Sequence, residues 1–217
     1  MRSVTRLRRP VWRSFKPKFL DRAVAWVKSG GHAAVVHSPE KIDLLLTPGD
    51  DGDISEPGRW AVLSLEQQKF RRVGVGPASG LYRANVLPHA LEAVLDWCER
   101  DSIHEGPTRP MSLDCLDCGA CCVDANVLLD QDDLDRWDEA GRKDLHGKGY
   151  VKRAKDGKIT LKFMKDGRCQ HLLADLKCHI YALRPFNCSV FPVGSEACLA
   201  ARESTLNLRD GAPPLEA

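Results

Sequence analysis

The chain has 217 residues, of which 43% are hydrophobic and 29% charged, with a net charge of +2. That is the make-up of a soluble globular protein, with room for one domain or two small ones around a real core. No apolar run approaches the roughly 20 residues that cross a bilayer, and the basic N-terminus lacks the apolar stretch of a secretory signal, so neither a membrane span nor export is expected. A cytoplasmic, reducing setting follows as the expectation. There, nine cysteines, an odd number, point to bound metal ahead of a disulfide framework.

Charge is unevenly spread. Residues 1–28 hold nine Lys or Arg against Asp21 alone, a local +8 that leaves −6 for the remainder. A basic arm on an acidic body can touch nucleic acid or an anionic surface, but the reading adopted is a solubilising, partly ordered leader. Phe19 to Val27 follows as a short amphipathic helix with Phe19, Ala23, Trp26 and Val27 on one face, stopped by Gly30-Gly31. Ala33–Val36 and Ile42–Leu46 read as two strands around Ser38-Pro39-Glu40. Residues 48–58 form an acidic surface loop, and Trp60–Leu65 and Phe70–Val75 are further strand candidates. Gly74-x-Gly76-x-x-x-Gly80 is one residue too long for a dinucleotide fingerprint and has no P-loop lysine, so it reads as a turn. Asn85 to Arg100 is a helix whose stripe of Leu87, Leu91, Val94, Leu95 and Cys98 makes Cys98 a core residue. Gly106, Pro107 and Pro110 then supply linker chemistry.

Cysteines dominate the C-terminal half. Cys115, Cys118, Cys121 and Cys122 pack four thiols into eight positions, and Cys169, Cys178, Cys188 and Cys198 lie downstream. Two-residue gaps let a tight turn aim two sulfurs at one point, as zinc and iron–sulfur sites need. Adjacent side chains diverge in most backbone conformations, so Cys121 and Cys122 are expected to serve different metals or to bridge, which favours a polynuclear site or two neighbouring sites. Asp130 to Glu139 reads as a capped helix with Leu134 and Trp137 buried and its acids solvated. Lys158 to Phe163 alternates as a half-buried strand, and Lys165-Asp166-Gly167 turns the chain back. A further hairpin would bring Cys169 and Cys178 together. His171 shares the strand face of Cys169 and reads either as a partly exposed strand histidine or as a donor at the centre.

Cys115-x-x-Cys118-Gly119-x-Cys121-Cys122 resembles the signature of the YkgJ-type cysteine cluster proteins, described as a zinc- or iron-chelating domain. Asp133-Leu134-x-Arg136-Trp137, Gly167-x-Cys169-x-x-Leu172, Cys178-x-Ile180-Tyr181-x-x-Arg184-Pro185-x-x-Cys188 and Cys198-x-x-Ala201-Arg202 continue the match over roughly residues 112–203. The resemblance implies Cys115, Cys118, Cys121, Cys122, Cys169, Cys178, Cys188 and Cys198 as metal ligands and leaves Cys98 outside. It also implies kinship with protein lysine N-methylases, whose cysteine domain carries iron and sulfur, although no S-adenosylmethionine-type glycine loop is visible here.

The expected architecture is therefore α+β. A basic leader and first helix (1–28) and a small α+β domain of unassigned role (29–107) precede a cysteine-cluster domain of short hairpins and helices (108–203) and a tail (204–217). The expected function is coordination of an iron–sulfur cluster or zinc through the eight cysteines. Two alternatives stand beside it: an iron-dependent or redox enzyme acting on a protein or small molecule, and a structural zinc module whose basic arm binds nucleic acid or a protein partner.

Overall fold

A computed structural model describes residues 4–67 and 69–210. The fold is α+β, and the chain divides into two compact units. One contains residues 6–112, 194–200 and 208–210; the other contains residues 4–5, 113–193 and 201–207.

β1 (Val4–Pro10) pairs in a two-stranded ribbon with β7 (Thr108–Asp114), and most residues of both strands fall in the first unit. A five-stranded sheet runs in the order β2-β3-β4-β6-β5, from β2 (Trp12–Phe15), β3 (His32–Ser38), β4 (Lys41–Leu46), β5 (Arg71–Arg72) and β6 (Tyr82–Asn85). β2 and β3 are parallel, joined through α1 (Leu20–Lys28); the other pairs are antiparallel. α1 lays Ala23, Val24 and Val27 on one sheet face against Ala33, Val35 and Leu45. The opposite face packs Ala34, Ile42, Leu44 and Leu46 with residues of α2 (Glu56–Ser64) and α3 (Leu91–Asp101). Burial on both faces explains why β3 and β4 read as near-continuous apolar runs rather than as alternation.

Two expectations fail in this unit. The run Trp60–Leu65 lies not in a strand but mostly in α2, because Ser55 caps that helix by accepting from the Gly58 N–H and Pro57 fits its first turn. Short apolar runs do not declare their period, and here Ala61, Val62 and Leu65 bury at helical steps. The basic leader is also more than a solvated arm. Arg9 and Trp12 are buried, and β1 has a period-2 pattern, with Arg6 and Arg8 exposed on one face and Arg9 buried on the other, that the count of positive charges masks. Of Phe70–Val75 only Arg71–Arg72 is strand, and the helix expected from Asn85 begins at Leu91, after a turn of 3-10 helix at Pro88–Ala90. Cys98 lies in the core as expected, and burial raises its thiol to about 12.

Beneath this sheet sits a buried charge network. Asp101 accepts from Arg9 Nη1 at 2.7 Å, the Trp12 N–H at 3.0 Å and Arg100 Nε at 3.3 Å, with Arg109 Nη1 3.5 Å away. Glu196, on α7 (Glu196–Leu206), accepts from Arg9, Arg100 and the Trp12 indole.

The second unit is built on a three-stranded antiparallel sheet in the order β8 (Leu128–Leu129), β10 (Ile159–Leu161), β9 (Val151–Arg153). Its core gathers Leu129, Leu134, Trp137, Leu145, Val151, Leu161, Leu172 and Ile180, and Cys169 is buried among them. The strand expected over Lys158–Phe163 is β10, and the 165–167 turn is closed by Met164 N–H to Arg168 O at 2.7 Å. α5 (Gln131–Glu139) begins in a capping box, with Asp130 and Asp133 each accepting the other's backbone N–H.

Candidate metal centre

The CxxCxxCC stretch folds as two short turns meeting at a left-handed glycine. α4 (Cys115–Cys118) is capped by Asp114, which accepts from the Leu116 N–H at 2.9 Å, and its spacing puts Cys115 and Cys118 on one face. Gly119 then takes φ +60°, and a Cβ there would stand 2.7 Å from the Leu176 carbonyl oxygen. A turn of 3-10 helix, Ala120–Cys122, comes next and leads into extended Val123.

Two other arms are tied to this turn. The Cys169 N–H donates to the Cys122 carbonyl at 2.9 Å and the Asp124 N–H to that of Gly167 at 2.9 Å, seating the 165–167 hairpin beside the double cysteine. The expected second hairpin is present: Leu172 pairs with Cys178, and Leu173 N–H donates to Lys177 O at 2.8 Å. The arm carrying Cys188, on α6 (Phe186–Ser189), is held by α5. Trp137 Nε1 donates to Leu183 O at 2.7 Å, Arg136 to Arg184 O at 3.2 Å, and Asp133 accepts the Phe186 N–H at 2.8 Å. The expectation that the acids of α5 are all solvated fails at Asp133, which is buried. The sequence signal was present: Asp133 stands at the third helical position, where a carboxylate can face inward to its own cap. Asp133→Ala should cost about 1–3 kcal/mol in urea unfolding, by orphaning the Phe186 N–H and dissolving the capping box.

Seven of the eight expected ligands lie in this unit. Cys115 feels Cys121 and Cys118; Cys122 feels Cys121, Cys169 and Cys178; Cys188 feels Cys121, Cys169 and Cys178. Burial raises Cys115, Cys169 and Cys178, and takes Cys188 to about 12. Cys121, which is exposed, goes the other way, to about 7, because the Cys122 thiol donates a hydrogen bond to it. That same bond raises Cys122.

Several groups favour the thiolate form. Backbone N–H groups of His171 and Ile180 lower Cys169 and Cys178 respectively, an i to i+2 pattern repeated on both hairpin arms. Arg202 Nη1 donates to the Cys118 sulfur at 3.1 Å. Arg184 sits 4.0 Å over the Tyr181 ring, donates to Tyr181 O at 2.9 Å and lowers both Cys115 and Cys178. From sequence, Arg184 reads either as an offset to thiolate charge or as a partner for a nearby acid, whereas Arg202 has no assigned role; both lie within the motifs that carry the family resemblance.

Cys198 is buried on α7, and its N–H donates to Ser195 Oγ at 3.2 Å. It falls among the residues grouped with the first unit. Four residues on, along the same helix face, stands Arg202.

The donor set has the chemistry of a site for a thiophilic ion: soft sulfurs, hydrogen bonds that stabilise thiolates, and two guanidinium counter-charges. Its side chains do not form a finished cage. Among the described residues no group of three or more His, Cys, Asp or Glu is arranged to hold an ion.

The clustered thiols lie on linked turns of one cysteine-rich unit. Residues 114–206 match the family model described as "CxxCxxCC: Putative zinc- or iron-chelating domain". No curated protein and no solved structure matches the chain. No helix among the described residues is long and apolar enough to cross a membrane.

Proposed function

We propose that this protein binds an iron–sulfur cluster or zinc through Cys115, Cys118, Cys121, Cys122, Cys169, Cys178, Cys188 and Cys198. The observation that carries the reading is the gathering of seven thiols in one unit, with Arg184, Arg202 and two backbone N–H groups favouring their charged form. Cys198 is included because it lies in the Cys198-x-x-Ala201-Arg202 motif that carries the family resemblance. Bound zinc would supply closed structural coordination and folding energy; bound iron and sulfide would supply one-electron chemistry.

In either case the residues of this chain have separable tasks. α4 and the turn at Gly119 present two thiol pairs, and the hairpins present Cys169 and Cys178. α5 fixes the Cys188 arm through Asp133, Arg136 and Trp137. The guanidinium groups offset the charge that several thiolates leave on a centre.

Elemental analysis with a visible spectrum, on protein purified without oxygen, tests the reading. Iron with acid-labile sulfide and absorption near roughly 400 nm means a cluster. Colourless protein with zinc means closed sites, and protein that holds no metal after reconstitution with either sinks the proposal. Among variants, Cys118→Ser and Cys178→Ser should lower metal content and stability together. Cys198→Ser should lower metal content as well. Cys98→Ser should keep the metal and lose only core packing, and a metal-poor Cys98→Ser protein would overturn the ligand set.

A further inference from the structure

Two histidines, His171 and His179, lie on the hairpin that also carries Cys169 and Cys178. His171 is 1% exposed, and neither ring nitrogen has a hydrogen-bond partner. A buried imidazole with two unsatisfied nitrogens is costly, and such a group calls for an explanation. Its ring stacks on Tyr150 at 4.7 Å with the planes 16° apart, and the ring of His179 lies 4.9 Å away, tilted by 55°.

Stacking alone explains the position of the ring but not the choice of histidine. Phenylalanine would cover Tyr150 equally and leave no orphaned nitrogen. The placement of the second histidine supplies the missing reason. Two imidazoles sharing an ion at the usual nitrogen–metal distance of about 2.0–2.1 Å have ring centres about 5 Å apart when the angle at the metal is near tetrahedral. The two histidines are held in that relation by backbone, since the His179 N–H donates to His171 O at 3.0 Å across the hairpin. His179 is exposed and gives an ion a path from solvent, while His171 forms a dry floor.

We propose that His171 and His179 are the protein ligands of a second divalent-cation site, separate from the thiols, of the borderline class that takes imidazole, such as Zn2+. With two protein nitrogens, water completes its coordination, which marks an open site rather than a closed structural one. The histidine pair would hold its ion whether or not the thiols hold metal.

The test is zinc-edge X-ray absorption with elemental stoichiometry, on the full chain equilibrated with excess Zn2+ and desalted. Imidazole scattering is expected in the unaltered protein. It should be lost, with about one zinc per chain, in both His171→Phe and His179→Gln. His171→Phe keeps the stacking on Tyr150, and His179→Gln alters an exposed side chain, so at least one variant reports on a folded protein; far-ultraviolet circular dichroism checks this. Retention of imidazole scattering and full stoichiometry in a folded variant overturns the proposal. So does an unaltered protein whose zinc shows no imidazole scattering. Sulfur scattering reports the thiol centre separately, so either reading can fail while the other stands.

Discussion

Asp101→Ala is expected to destabilise the protein by about 3–5 kcal/mol, the range for removing one partner from a buried ion network. Asp101 is fully buried, and its carboxylate takes hydrogen bonds from Arg9, Arg100 and the Trp12 N–H, with Arg109 close by. Without it, Arg9 and Arg100 keep Glu196 as their shared acid, and buried Arg109 loses the nearby Asp101 carboxylate. Urea unfolding measures the loss, and a change below about 1 kcal/mol would show that water or side-chain movement compensates. The same carboxylate gives stability a pH dependence. Burial alone would raise its pKa; Arg9 and Arg100 overcome this and hold it below the ordinary value. A depressed folded-state pKa means that the contribution is complete above the unfolded value of about 3.9 and is lost as the pH falls below it. Asp101→Asn should therefore remove part of the acid-induced loss seen in the parent between about pH 4 and the lower folded value, in urea titrations across that range.

Gly119→Ala is expected to lower both stability and metal content. A left-handed φ costs a non-glycine residue about 1–3 kcal/mol, and the added Cβ would also stand 2.7 Å from the Leu176 carbonyl oxygen and 3.0 Å from Leu172 Cδ1. The Leu176 contact is with backbone, so relief requires the 172–178 hairpin to move, and with it Cys178. Gly141→Ala provides the control. Its φ is +72° with no atom within 4 Å of the new Cβ, so it carries backbone strain without the collision. The Gly119 variant should unfold at lower urea than the Gly141 variant and retain less metal. Equal behaviour of the two would show that the close approach at Gly119 does not matter.

The cysteine-rich turn and its neighbouring hairpin are the most legible part of the chain, and the reason is local. The spacing of Cys115, Cys118, Cys121 and Cys122 constrains four sulfurs within two turns. The period-2 alternation of 158–163 and the glycine at 167 announce the neighbouring hairpin without reference to anything distant. The capping role of Asp130 and the burial of Leu134 and Trp137 followed from helix periodicity in the same way. Regions governed by contacts distant in sequence were read less well. Trp60–Leu65 carries no periodic signal strong enough to separate strand from helix, and Ser55 with the core around Ile54 and Ala61 decided for helix. The positive charges of the first 28 residues suggested a solvated arm. Only the structure shows Arg9 among partners 92 and 187 positions away, at Asp101 and Glu196.

His171 marks the boundary between the two kinds of information. Its strand face was readable from its distance to Cys169, but its complete burial, its stacking on Tyr150 and its closeness to His179 were not. The sequence alone determined which residues are soft donors and how they are spaced, because covalent connectivity and turn geometry act over a few residues. The tertiary structure decided which charges are buried, which thiols are favoured as thiolates, and which imidazole is left without a partner. Those properties depend on desolvation and on groups brought together by folding, and neither leaves a local pattern in the chain.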